Sequence, residues 1–139
     1  MKKVIQLTVC IVLIAVLLGG CGIDLSAEAE PFVWEMMTAL EEGDADAAAE
    51  LMHPEAREQI ANFDEGIKSL IQLVNGRGVE ESKRTSVHVN NEMGNNAEKR
   101  EEGSFRAVMT DGSVLEIEYV YVKNNKGTGF LSFYLSVGT

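Results

Sequence analysis

The sequence is poor in cysteine and in basic residues, and each shortage excludes a class of protein. Both cysteines, Cys10 and Cys21, lie within the first 21 residues, so the rest of the chain has no disulfide and must be stabilised by its hydrophobic core. The 12 lysines and arginines are outnumbered by 22 aspartates and glutamates, which gives a net charge of −10. Because phosphate binding needs a basic surface, we expect no nucleic acid as a partner.

Histidine is also scarce, which leaves few candidates for a metal or catalytic site. His53 and His88 are too far apart in sequence to form a metal-ligand spacing by themselves. Asp44 and Asp46 lack the additional oxygen ligands of a calcium loop. We expect His53 to bind backbone groups at a helix end and His88 to face away from the core. The sequence therefore predicts no catalytic residue, no metal site and no cofactor.

The chain begins with a basic and then apolar segment. Lys2 and Lys3 precede an uncharged run, residues 4–18, and Gly19 and Gly20 follow it. A basic start, an apolar middle and a small-residue end are typical of a secretory signal peptide. The run is shorter than the roughly 20 residues that a helix needs to span a bilayer. We therefore expect the protein to be exported.

A cysteine directly follows the two glycines, and the stretch Leu18-Gly19-Gly20-Cys21 resembles the lipobox of bacterial lipoproteins. The resemblance implies cleavage before Cys21 and attachment of its thiol to diacylglycerol, which anchors the protein to the cell membrane. The alternative is an uncleaved N-terminal anchor, and in both cases the domain lies on the extracytoplasmic side. The expected organisation is a signal peptide at 1–20, a tether at 21–30 and one domain at 31–139.

After the tether, the hydrophobic period is first that of helices and then that of strands. Three helices are predicted, and the third carries the strongest apolar stripe, so we expect it to be the most buried. Alternation of apolar and polar residues then predicts four strands. The helices are expected at 31–42, 44–52 and 54–75, and the strands near 84–90, 99–109, 114–123 and 128–137.

Two glycine-ended loops set the expected register of the last three strands. If residues 110–112 and 125–127 are three-residue loops with glycine in the left-handed conformation, one face of the sheet is apolar throughout. A two-residue turn would mix apolar and charged residues on each face. The expected opposite pairs include Phe105 with Ile117, Arg106 with Glu116, Tyr119 with Phe133, and Tyr121 with Leu131.

The same register predicts an apolar group on the face of the sheet opposite the core. Its members are Val120, Val122, Phe130 and Tyr134. Four such residues on adjacent strands are typical of a contact surface, so we expect this face to bind a second copy of the chain or another envelope protein. The alternative is that a helix or the N-terminal segment covers it, with Trp34 as the candidate cover.

The element order and one segment together resemble a known family. The stretch ALEEGDADAAAELMHPEA, residues 39–56, is similar to the helix–GD–helix–Pro segment of small bacterial lipoproteins in the nuclear-transport-factor-2-like superfamily. The resemblance implies an α+β, cone-shaped roll in which N-terminal helices precede a four-stranded antiparallel meander wrapped on the third helix. That superfamily includes enzymes, ligand-binding proteins and interaction modules, so the resemblance bears on fold more than on activity.

Two classes of function agree with these observations. The favoured one is a membrane-tethered, non-catalytic binding or interaction module. The alternative is a small isomerase-like or hydrolase-like enzyme that uses His53 or an unidentified acid. We expect Tyr119 and Tyr121 to be the polar groups that the sheet contributes to the interior, with no carboxylate beside them, and Glu116 and Glu118 to face solvent. A cavity with a buried ionisable group would favour the enzyme, and a filled core would favour the module.

Overall fold

Helices occupy the first part of the domain and strands the second, as the change of period predicts. The computed structural model describes residues 27–138. The helices are α1 (Glu30–Glu42), α2 (Ala45–Glu50), α3 (Pro54–Gln59) and α4 (Phe63–Val74). The strands are β1 (Val79–Glu92), β2 (Glu98–Met109), β3 (Val114–Asn124) and β4 (Gly127–Val137). The strands form one antiparallel sheet in the order β1-β2-β3-β4, which confirms the α+β class.

The boundary between α1 and α2 follows from two adjacent residues. Gly43 ends α1 in the left-handed conformation, at a φ of 71°, which glycine adopts without the steric cost of a Cβ. The side chain of Asp44 then accepts a hydrogen bond from the backbone N–H of Ala47 at 3.0 Å and caps α2. Both roles agree with the sequence prediction.

The predicted third helix is two helices, α3 and α4. Ile60, directly after α3, has extended backbone angles, and Asn62 adopts the left-handed conformation at a φ of 57°. Asparagine tolerates that conformation better than most residues, so it accommodates the break in the helix. As a result, Ile60 is 41% exposed although the periodicity places it on the apolar stripe.

Burial is greatest in α1, so the expectation that the third helix is the most buried is wrong. Of the residues in α4, Ile67 and Val74 are buried. Helix α1 instead packs aromatic rings against the sheet: Phe32 stacks on Tyr121 with centroids 5.3 Å apart, and Trp34 meets Phe105 edge-on at 5.0 Å. The buried side chains of α1 are Val33, Met36, Met37, Ala39 and Leu40.

The hairpin between β2 and β3 has the predicted loop and register. Gly112 ends the loop with a φ of 84°, and the N–H of Met109 donates to the carbonyl of Ser113 at 2.8 Å. Phe105 lies opposite Ile117, and Arg106 opposite Glu116. The face with Phe105 contacts the helices and is called the inner face below, and the face with Arg106 is called the outer face.

The hairpin between β3 and β4 has a shorter loop than predicted. Asn124 pairs with Gly127, so two residues form the turn, and Tyr121 lies opposite Phe130 rather than Leu131. A bulge then adds one residue to β4, and Tyr119 lies opposite Phe133, as expected. A two-residue turn plus a one-residue bulge gives the same offset as a three-residue loop. The predicted register is therefore correct at Tyr119, on the far side of the bulge, and wrong at Tyr121, between the bulge and the turn.

The bulge places Phe130 in the core, which corrects part of the expected contact surface. Phe130 is fully buried, with its ring 5.1 Å from Tyr121 and 5.2 Å from Phe133. Val122 is also buried, Val120 is half-buried, and Tyr134 is 65% exposed. The four residues therefore do not form one exposed face. Nor does Trp34 cover them, because its ring packs on the inner face.

Leu40→Ala should destabilise the fold more than Leu70→Ala. Leu40 is fully buried in α1, so its truncation should lower the free energy of unfolding by about 2–5 kcal/mol. Leu70 in α4 is half-buried and should cost about 1–2 kcal/mol. Urea unfolding of both variants measures the difference. A larger loss for Leu70→Ala would contradict the burial described for α1 and α4.

Candidate functional site

A carboxylate from the sheet lies in the interior of the domain, between α1 and the inner face. Glu101 is 2% exposed. It precedes Phe105 by four residues in β2, and alternate residues of a strand share a face, so the backbone directs both side chains inward. Glu101 lies opposite Tyr121 in β3. The expectation that no sheet carboxylate accompanies the interior tyrosines is therefore wrong.

Three groups of the chain donate hydrogen bonds to the Glu101 carboxylate. Its Oε1 accepts hydrogen bonds from the backbone N–H of Glu28 at 2.7 Å and of Ala29 at 3.2 Å. Its Oε2 accepts the hydroxyl proton of Tyr119 at 2.6 Å. Both oxygens thus have partners, which is how a buried charge avoids the large cost of losing water.

The position of Glu101 at the start of α1 explains why the carboxylate is tolerated there. Ala29 occupies the N-cap position of α1, and its N–H, like that of Glu28 before it, has no acceptor within the helix. A negative charge near a helix N-terminus is also electrostatically favourable. Glu101 therefore acts as a cap, supplied by the sheet, for the two peptide N–H groups that lead into α1, and it fixes the beginning of α1 to β2.

Gly103 makes the contact between Glu101 and Tyr119 sterically feasible. Gly103 lies opposite Tyr119 in the sheet, and a Cβ at this position would lie 2.5 Å from the Tyr119 hydroxyl. The phenol ring can cross over β2 toward Glu101 because residue 103 has no side chain. This glycine is required for close approach rather than for a turn.

Ion pairs surround the beginning of α1. Glu30 binds Arg84 at 2.7 Å, and the Arg84 guanidinium lies 5.4 Å from the centroid of the Phe105 ring. Glu28 binds Lys99 at 3.0 Å. These pairs involve half-exposed side chains, so they orient α1 and contribute modestly to stability.

Burial changes the acidity of both interior tyrosines. Burial, followed by the hydrogen bond to Glu101, raises the pKa of the Tyr119 phenol well above its ordinary value. Burial, followed by the negative charges of Glu28 and Glu101, raises the pKa of Tyr121 to about 12. Both phenols are therefore neutral at physiological pH. The prediction that they lie in the interior is confirmed, since both are buried.

The alternation of residues along β2 predicts that Glu101 points inward, although the charged residues beside it are typical of an exposed segment. Glu101 lies in the run Lys99-Arg100-Glu101-Glu102, which resembles a solvated segment. Counting back from Phe105 in steps of two gives Gly103 and then Glu101, so strict alternation places it inward. Arg100 and Glu102 point outward and pair with each other at 3.0 Å.

His53 has a structural role, although at the opposite helix end from the one expected. It is fully buried and precedes α3, where its Nδ1 accepts a hydrogen bond from the backbone N–H of Glu55 at 3.1 Å. With Nδ1 as acceptor, Nε2 carries the proton and donates to Oδ1 of Asn124 at 3.0 Å. His53 therefore caps α3 and ties it to the turn between β3 and β4.

The remaining sequence candidates lie on the outer face. His88 and Glu102 are opposite each other in the sheet, and both are exposed, as are Glu116 and Glu118. A shallow depression of about 420 Å³ includes His88, Glu102, Glu118 and the ring of Tyr134. Within residues 27–138, no three His, Cys, Asp or Glu side chains are placed to hold a metal ion.

The lipid-attachment residue Cys21 and the predicted signal peptide lie outside the described residues. Of the predicted tether, residues 27–30 are described, and Ala29 is buried against the domain. The domain therefore includes residues that the sequence prediction assigns to the tether. In the described part of the chain, no helix has the length and apolarity to cross a membrane.

Comparison with known proteins gives one family match. The family described as "Domain of unknown function (DUF5104)" matches residues 35–129, from within α1 to the start of β4. Among solved structures, a provisionally assigned dehydratase of the NTF2-like family from Streptomyces avermitilis is similar over 76% of this chain and 90% of that chain, at 15% identity. The TM-score of this match is 0.40. No curated protein matches the sequence.

Glu101→Gln should release the beginning of α1, whereas Glu102→Gln should not. The first change keeps the shape but removes the charge that strengthens three hydrogen bonds, so unfolding should cost about 1–3 kcal/mol less. The neighbouring exposed carboxylate of Glu102 is the matched control, with an expected change within about 0.5 kcal/mol. Faster exchange of the Glu28 and Ala29 amide protons in Glu101→Gln alone would support the cap. Equal behaviour of the two variants would contradict it.

Tyr121→Phe should reduce the loss of stability at alkaline pH. In the unfolded chain a tyrosine has its ordinary pKa of 10.0, whereas in the folded protein the pKa of Tyr121 is about 12. Between these values unfolding releases a proton, so the free energy of unfolding falls as pH rises from about 10 to about 12. The variant should show a shallower fall over that window and an unchanged slope below it. Urea unfolding as a function of pH gives both slopes, and identical slopes above pH 10 would contradict the raised pKa.

Proposed function

The chain belongs to the DUF5104 family, and we propose that it is an extracytoplasmic, lipid-anchored module that acts by binding rather than by catalysis. The proposal has two parts, which are supported separately. The hydrogen bonds of Glu101 within the fold support an interior that is not catalytic. The stretch Leu18-Gly19-Gly20-Cys21 supports attachment to a membrane.

The observation that supports the first part is the burial and hydrogen bonding of the Glu101 carboxylate. A general acid or base must come within hydrogen-bond reach of a substrate. Glu101 is 2% exposed, and its oxygens bind Tyr119 and the backbone at the start of α1. A substrate could reach it only if the first turn of α1 left the sheet. The interior carboxylate is therefore used to hold the start of α1 to the sheet.

The second part follows from the length of chain between Cys21 and the domain. Residues 21–27 extend over at most about 20–25 Å. Ala29 is buried and bound to Glu101, so the tether would end at a fixed point of the fold. A lipid on Cys21 would therefore hold the domain close to the membrane surface. Two acyl chains are sufficient for stable anchoring.

Charge supports binding to a protein surface rather than to nucleic acid or anionic lipid. The net charge is −10 for the whole chain. Such a body is repelled by phosphate groups, which are common to nucleic acids and anionic membranes. The membrane is then a site of attachment through lipid, and the partner is a second copy or another protein of the envelope.

Cys21→Ser should abolish lipid attachment, and Cys10→Ser should leave it intact. Both variants replace one sulfur in the N-terminal segment, but only Cys21 follows the small residues of the lipobox-like stretch. Cells grown with labelled palmitate should incorporate label into the parent and into Cys10→Ser, and not into Cys21→Ser. Cleavage of the signal peptide should be lost together with the label. Labelling of Cys21→Ser at the level of the parent would overturn the lipid anchor.

The same cells test binding against catalysis. Crosslinking in the native envelope should capture the same partners with Tyr119→Phe as with the parent. The variant loses a hydroxyl that an interior reaction would use, and the inner face keeps its packing. Loss of capture by a variant whose circular dichroism spectrum and melting temperature match the parent would show that the interior takes part in binding. That result would contradict the proposed role of the interior.

A further inference from the structure

The free edge of strand β4 is an unprotected sheet edge. β1 and β4 are the two edges of the sheet. Near the start of β4, Met52 forms a parallel bridge with Phe130, in which Leu51 accepts from the Phe130 N–H at 3.0 Å and the His53 N–H donates to the Phe130 carbonyl at 2.8 Å. Beyond Phe130, no described residue pairs with the outer side of β4.

The hydrogen-bonding direction along β4 is set by its last bond. The N–H of Gly138 donates to the carbonyl of Val114 at 2.8 Å, so residue 138 directs its backbone groups toward β3. Backbone groups alternate in direction along an antiparallel strand. The N–H and C=O groups of Phe133, Leu135 and Val137 therefore point to the free edge, and those of Tyr134 and Ser136 point to β3.

The two edges of the sheet differ sharply in charge. Natural proteins protect exposed edges with charged residues or proline, which oppose pairing with another strand. β1 has this protection, with Glu80, Glu81, Lys83, Arg84 and His88 along its length. In β4 the segment from Gly127 to Val137 has no charged residue and no proline. The chain thus protects one edge and leaves the other open.

An apolar groove lies beside the open edge. The groove, of about 260 Å³, runs between α4 and β4 and includes Ile60, Phe63, Ile67, Leu70, Phe133 and Tyr134. On the inner face, Val137 is 72% exposed although it lies opposite buried Leu115. The helices therefore leave the inner face uncovered where the edge is unprotected.

We propose that β4 pairs antiparallel with β4 of a second copy, about a two-fold axis at Leu135. In this register Leu135 lies opposite its own copy, and Phe133 lies opposite the partner's Val137. These are the residues whose backbone groups point to the free edge, so each pair exchanges two N–H···O bonds. The inner-face side chains of each strand extend the partner's apolar surface at the groove.

Charge favours a second copy over another protein strand. The whole chain carries −10, so two copies repel each other over most of their surface. The segment 127–137 is the exception, because pairing it with itself brings no like charges into opposition. A partner selected by charge would need a charged edge, which β1 has and β4 lacks. The edge is also self-complementary, as a two-fold interface requires.

Val137→Lys tests the proposal, with Ser136→Lys as its matched control. Both add one positive charge to the same strand. Val137 is exposed, so its replacement should not unfold the monomer, but in the dimer each ammonium would lie against the partner's Phe133. Ser136 lies on the outer face opposite Glu116, where lysine is accommodated. The probe is the full chain in a density-matched detergent, followed by sedimentation equilibrium. Val137→Lys should raise the dimer dissociation constant by about tenfold or more, and Ser136→Lys by less than about twofold.

Amide hydrogen exchange of the parent gives an independent readout. The amides of Phe133, Leu135 and Val137 should exchange more slowly as protein concentration rises, whereas those of Tyr134 and Ser136 should be protected at every concentration. A monomer at all concentrations, equal effects of the two lysine variants, or protection of the first three amides without dimerisation would each overturn the proposal. The last outcome would indicate that another segment of the same chain covers the edge. The test does not depend on the lipid anchor, so its failure is distinguishable from failure of the proposed function.

Discussion

The fold depends on the interaction between the Glu101 carboxylate and the backbone at the start of α1. Helix α1 contributes most of the buried helical side chains, and its position on the sheet is set at one end by this cap. The other features of the interior accommodate it: Tyr119 donates to the second oxygen, and Gly103 leaves room for the phenol ring. A charged group in the interior is usually a sign of chemistry. Here it binds the two peptide N–H groups that lead into α1.

A second constraint is the combination of a two-residue turn and a bulge in β4. The bulge turns Phe130 into the core, where its ring meets those of Tyr119, Tyr121 and Phe133. It also brings the backbone of Phe130 to the segment before α3, which His53 holds to the sheet through Asn124. The same local irregularity therefore completes the core and attaches the helices to β4. It ends before Phe133, and the strand beyond it is regular and open.

The sequence predicted element types better than it predicted interior chemistry. Alternation located all four strands, and Gly43 with Asp44 marked the junction of α1 and α2, because turn and cap preferences are local properties. The break at Asn62 and the bulge before Ser132 were missed, since neither has a residue pattern of its own. Glu101 is missed for a different reason: two of its three partners are backbone N–H groups, which no side-chain pattern indicates. The strand period of β2 predicts the inward position of Glu101, whereas the charge of the neighbouring residues does not.

The attachment of residues 28 and 29 to Glu101 has a mechanical consequence. A force transmitted along the preceding chain reaches the domain first at these two peptide groups. Glu101 lies in β2, which is paired on both sides, with Val89 in β1 and Tyr121 in β3. The force is therefore distributed over three strands. It does not act on a single edge strand that could separate from the sheet. A protein pulled from this end would resist extension until the interior carboxylate is exposed.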